Sequence, residues 1–74
     1  MKLHRISATE TELHRGNDVV FFSYDTPVAY FLSGVGYFRT DKTFSQSTSK
    51  HICKWLRGFK AEVVPQATVE AFLG

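Results

Sequence analysis

The chain has little with which to staple itself or to cross a membrane. Its single cysteine, Cys53, cannot close an internal disulfide, which points to a reducing compartment. No apolar run reaches the ~18–20 residues that a membrane helix needs. The opening Met1-Lys2-Leu3-His4-Arg5 turns polar too early for a secretory signal, so a cytoplasmic location is expected. Repeats, low-complexity stretches and linkers are missing, and 74 residues suffice for one core only, so residues 1–74 are expected to form a single domain. The 43% hydrophobic content is too high for a disordered tail.

Negative charge is missing from one stretch in particular. Residues 39–60 carry Arg39, Lys42, Lys50, Lys54, Arg57 and Lys60 against Asp41 alone, within a chain whose net charge is only +2. A basic block of this kind is a candidate surface for an anionic partner.

What is present is a run of strand-forming sequence followed by helical periodicity. Val19-Val20-Phe21-Phe22-Ser23-Tyr24 is β-branched and aromatic and is bounded by turn-forming residues. Pro27, which has no N–H, fits the following turn better than a ladder. Val28 to Leu32 continues, Ser33-Gly34 supplies a tight turn, and Val35 to Thr40 pairs back. Leu3–Ile6 and Thr11–Arg15 are weaker strand candidates.

Ile52, Trp55, Leu56 and Phe59 then recur at the spacing of one helix face. Ser47 or Thr48 is the expected cap of a helix over about 48–57, and Gly58 its left-handed end. Trp55 is expected to be largely buried with Ile52 and Leu56. Phe59 to Val64 reads as a short strand, and Pro65 opens a C-terminal helix. The expected fold is α+β: a small curled antiparallel sheet containing the hairpins of residues 18–40, then an amphipathic helix, a short strand and a second helix. Helices on one face are the natural packing.

Strict alternation sets Val19 and Phe21 against Val20, Phe22 and Tyr24 in residues 19–24, and Val28, Tyr30 and Leu32 against Ala29 and Phe31 in residues 28–32, so both faces of that sheet are apolar. Two short helices are expected to cover only one of them. The other must curl on itself, meet the N-terminal segment or bind something, for example a second copy through Phe22, Tyr24 or Tyr30.

Catalytic groups do not assemble. His51 and Cys53 lie two apart on the expected helix, about 200° around the axis, and cannot pair. Cys53, beside the apolar stripe, reads as a structural thiol. The carboxylates are scattered, His4, His14, His51 and Cys53 lack metal-motif spacing, and Gly34 and Gly36 open no phosphate loop. Neither a catalytic residue nor a metal or other cofactor is expected. Gly36-Tyr37-Phe38-Arg39 has the aromatic character of single-strand RNA readers, but the element order differs from theirs.

Two features point to binding. Ser47, Thr48, Ser49, Lys50 and His51 bring hydroxyls and cations to a helix start whose free N–H groups attract anions. Lys50, Lys54 and Arg57 share the outer helix face, with Arg39 and Lys42 nearby in sequence, as a stripe suited to phosphates or an acidic protein.

Phe22-Ser23-Tyr24-Asp25-Thr26-Pro27-Val28-Ala29, then Tyr37 to Lys42, then Ser45-x-Ser47-Thr48-Ser49-Lys50-His51-Ile52-x-Lys54-Trp55-Leu56, form an ordered set. Across about residues 18–73 this set resembles a family of small uncharacterised proteins from bacteriophages, prophages and other mobile elements. Their pattern runs Ser-Tyr-x-Thr-Pro-Val-Ala, then Ser-x-Thr-Thr-Ser-x-His-Ile-Asn. Ser47 stands where Thr is commoner, and Cys53 where Asn is commoner. The resemblance implies a fold signature with a site around Ser47 to His51, and no activity. It also implies a small protein that binds and redirects a host component, a class that includes anti-defence and anti-CRISPR-like inhibitors. The expected function is therefore non-enzymatic binding of a host macromolecule, most simply a protein. The alternative is a nucleic-acid-binding module using helix 48–60.

Overall fold

The computed structural model describes residues 2–73. Strands β1 (Lys2–Ser7), β2 (Glu10–Arg15), β3 (Asp18–Ser23), β4 (Thr26–Leu32) and β5 (Gly36–Thr40) come first. Helix α1 (Gln46–Leu56), strand β6 (Ala61–Val64) and helix α2 (Gln66–Leu73) follow. The α+β expectation holds. One six-stranded sheet runs in the order β1-β2-β3-β4-β5-β6, so each strand lies beside its sequence neighbour.

The sheet is mixed rather than antiparallel. β6 pairs in parallel with β5, from Tyr37 opposite Ala61 to Thr40 opposite Val64. A parallel pair needs a long crossover, and α1 is that crossover. Three further corrections are local. Pro27 lies inside β4 opposite Phe22, beside a register shift that leaves Val28 unpaired, and a bulge is where a strand tolerates proline. The β4–β5 loop has three residues, Ser33 to Val35, because Leu32 pairs with Gly36. α1 begins at Gln46, two residues before the expected start at 48, and is capped by Ser45 rather than Ser47 or Thr48. At its other end both Arg57 (φ 53°) and Gly58 (φ 83°) are left-handed.

The two helices lie on opposite faces, which corrects the one-face packing. Register defines the faces, since cross-strand partners point the same way. The row Leu3–Leu13–Val20–Tyr30–Phe38 belongs to one face. There α2 adds Val69 and Phe72, with Phe72 stacked on Tyr30 at 4.5 Å and Tyr30 on Phe38 at 4.8 Å. Arg15 ties this helix down by donating from Nη1 to the Phe72 carbonyl at 2.9 Å. On the other face Ile52 and Leu56 of α1 cover Phe21, Val28 and Ala29. The bulge carries Val28 into this cluster, away from Tyr30, which strict alternation would have made its companion.

The surplus apolar face is thus closed by α2, and the aromatic surface expected to dimerise is largely spent inside the molecule. Tyr30 is buried, while Tyr24 leaves the strand in the left-handed region (φ 58°) and its ring lies 5.7 Å from His51, on the α1 side. Phe59 is 58% exposed rather than core, stacking on Tyr37 at 5.2 Å. Cys53 is exposed, not a buried thiol. Trp55 is half-buried rather than largely buried. Among the described residues, no helix is long and apolar enough to cross a membrane.

Burial, with Glu62 as a second contributor, raises the Tyr30 phenol above its ordinary value. The neutral phenol therefore stabilises the fold fully below the unfolded value of ~10, and this contribution is lost as pH climbs beyond it. Chemical denaturation of the wild type should show a steeper alkaline loss of stability than Tyr30→Phe, and identical slopes would remove the phenol from the account.

Candidate functional site

Two arrangements stand on the α1 face, one closed and one open. The closed one is a cluster of hydroxyls around His51. Ser7, Glu10, Ser23 and Thr26 form one cross-strand row, which brings Glu10 and Ser23 together at the end of the sheet that α1 covers. Ser23 Oγ is 2.8 Å from His51 Nδ1 and donates to Thr48 Oγ1 at 3.1 Å. Ser45 Oγ reaches Thr48 Oγ1 at 3.3 Å while accepting the Thr48 N–H as the helix cap. On the far side of the ring, His51 Nε2 meets Thr9 Oγ1 at 3.4 Å, and Glu10 Oε1 stands 3.9 Å away. His51 thus bridges Ser23 of β3 and Thr9 of the β1–β2 turn through its two ring nitrogens. Glu10 takes its own hydrogen bond from Ser7 Oγ at 3.1 Å.

Serine, histidine and glutamate in succession have the composition of an acyl-transfer triad, but not its geometry. A nucleophile needs an accessible oxygen whose proton points at the base, and a carboxylate bonded to the base. Ser23 is 1% exposed, and Glu10 stands beyond hydrogen-bond reach of the ring. The cluster instead ties the β1–β2 turn, β3 and the first turns of α1 into one unit. The Tyr24 N–H donates to the Thr9 carbonyl at 2.6 Å and completes it.

The open arrangement is a groove of about 410 Å³ beside α1. Ile52 and Leu56 of α1 pack over Phe21, Val28 and Ala29, and part of the face beyond them is left only half-buried. That part is the row Val19–Phe31–Tyr37, which with Phe21 floors the groove. Trp55 forms the helix side, stacked on Phe21 at 5.0 Å and edge-on to Tyr37 at 5.7 Å. Its Nε1–H donates to Glu12 Oε2 at 2.5 Å, and Glu12 Oε1 holds His14 Nε2 at 3.0 Å. Lys54, Arg57 and Phe59 complete the helix side, while His4 and Ile6 line the groove on β1.

The residues singled out in the sequence separate into three groups. Thr48 and His51 enter the closed cluster, while Ser47 and Lys50 are exposed and Ser49 is half-buried. Lys54 and Arg57 line the groove beside Trp55, so they flank the apolar stripe instead of lying opposite it. Arg39 is half-buried on the α1 face opposite Ala29, and Lys42 lies 5.2 Å over the Phe44 ring, so neither joins the groove lining. At the start of α1, Thr48 and His51 thus face the hydroxyls of the cluster, while Ser47 and Lys50 face solvent. Glu10, Ser23 and Glu12 were missed. Ser23 stood in the quoted motif, but the register that sets it beside Glu10 is not visible in sequence. Among the described residues no group of three or more His, Cys, Asp or Glu is placed to hold a metal ion.

Ser23→Ala removes the hydroxyl shared by His51 Nδ1 and Thr48 Oγ1 and should cost about 1–3 kcal/mol in urea denaturation. A fluorophosphonate probe should leave the folded protein unmodified, and stoichiometric labelling of Ser23 would show an accessible nucleophile after all.

The comparisons with known proteins bear on the family alone. No curated protein and no solved structure matches the chain. A family model does match, over residues 1–71. The chain belongs to the family of unknown function DUF8033.

Proposed function

We propose that the protein works without catalysis, as a small phage or mobile-element accessory protein that binds a host protein through the groove beside α1. An inhibitor of host defence, including one directed at CRISPR systems, falls within this reading, as does a cytoplasmic site of action. One observation carries it: an aromatic floor of Phe31 and Tyr37 and the Trp55 wall are bordered by Lys54 and Arg57, neither of which pairs with a carboxylate among the described residues. Desolvated aromatics beside unpaired cations suit a protein segment that carries apolar and acidic side chains together. The burial of Ser23 supports the non-enzymatic part of the reading, because it leaves the His51 cluster without a reachable nucleophile.

A second reading rests on Phe59, which is 58% exposed next to Arg57. An exposed ring beside a cation is what stacks and neutralises a single-stranded nucleic acid. Glu10 and Glu12 line the same groove. A chain of phosphates carries charge at every unit and would meet them, whereas a protein segment can set its acids beside Lys54 and Arg57 and its apolar residues beside the two carboxylates, which favours the protein partner.

Lys54→Glu combined with Arg57→Glu should leave thermal melting almost unchanged, since exposed charges shift stability by under ~0.5 kcal/mol. Affinity capture of the tagged wild type from its host, identifying protein and nucleic acid, should retain a protein that the double variant loses. Equal retention by both would move the binding surface off the groove. A captured nucleic acid with steep salt dependence would replace the first reading by the second.

A further inference from the structure

The sheet is open, and among the described residues nothing pairs with the outer edge of β1. We propose that this edge receives an extended acidic segment of the partner as a seventh strand. The inference rests on the protein-binding reading above and adds how the partner docks.

All six residues of β1 are exposed, so its outward N–H and C=O groups face solvent. Such a row is a template for another strand. The side chains decide which strand is accepted. β1 carries Lys2, His4 and Arg5 and no carboxylate. The two acids opposite it on β2 are engaged elsewhere, Glu12 with Trp55 and His14, and Glu10 with Ser7. Lys2 and Arg5 therefore have no ion-pair partner among the described residues. A second copy laid antiparallel along β1 would set these cations against one another. Like charges directly opposite are destabilising, whereas opposite charges across strands stabilise. The edge thus rejects its own kind and favours an acidic strand.

Apolar footholds flank the charges. Leu3 is 69% exposed on the α2 face, and Ile6, 42% exposed, lines the groove on the other side together with His4. Alternate side chains of an added strand would therefore arrive at the mouth of the groove, making one continuous surface from the strand edge to Lys54 and Arg57. The register shift between Arg5 and Ser7 limits regular pairing to Lys2–Arg5. The opposite edge, β6, is only four residues long and bears Glu62, the wrong sign for the same partner.

The test uses the full ¹⁵N-labelled chain and a synthetic peptide of alternating Glu and Val. At millimolar concentration the peptide should shift the amide resonances of residues 2–7 and slow their hydrogen exchange. N-methylation along one edge of the peptide should abolish this, while methylation along the other edge should not. The matching Lys-Val peptide should leave β1 unshifted. Lys2→Glu with Arg5→Glu should weaken binding about fivefold, as expected for two reversed cross-strand charge pairs. Unshifted β1 amides, or equal binding by both N-methylated peptides, would overturn strand addition. Shifts confined to Phe31, Tyr37 and Trp55 would overturn the edge and keep the groove. Capture of a nucleic acid as the partner would fail the underlying reading instead.

Discussion

A sheet that is apolar on both sides must be covered on both sides, and this requirement shapes the whole molecule. In a chain of 74 residues the cover comes from two short helices, one for each face. On the α2 side the burial is concentrated under stacked rings, with Phe72, Tyr30 and Phe38 in sequence across the face. On the α1 side the helix covers Phe21, Val28 and Ala29 and leaves the row Val19–Phe31–Tyr37 half-buried. What it leaves becomes the aromatic floor of the groove, so the candidate site is the unpaid remainder of the packing problem.

That groove keeps its form because α1 is anchored at both ends. Near its start, Ser45 caps the backbone, and the Ser23–Thr48 and Ser23–His51 contacts fasten the helix to β3. Near its end, Trp55 stacks on Phe21 and donates to Glu12 of β2. Each buried polar group in this set finds a partner close by, as a low-dielectric interior demands. The hydroxyl-rich motif therefore fixes the helix that carries Lys54 and Arg57.

The fold was readable wherever local signals are strong. The aromatic run of β3, the helical spacing of Ile52 and Leu56, and Gly58 at the end of α1 all declare themselves. Three things did not. The parallel pairing of β6 depends on where α1 returns the chain, which no residue in β6 encodes. The placement of α2 on the far face depends on how the chain leaves β6, where Val64 joins the Tyr30 cluster. The closed cluster joins Thr9, Glu10 and Ser23 to a histidine 28 or more residues away, through a register set by whole strands. The basic stripe was visible as composition, yet only the structure separates Lys54 and Arg57, on an aromatic groove, from Lys50, Arg39 and Lys42.

The groove is the proposed place of contact, and the chain holds a single tryptophan, Trp55, in its wall. Trp55 replaced biosynthetically by 5-fluorotryptophan gives one ¹⁹F resonance that an unlabelled partner cannot obscure. On titration with the captured partner, that resonance should shift and broaden in proportion to the fraction bound. A resonance unchanged at saturation would place the interface elsewhere and contradict the groove as the binding site.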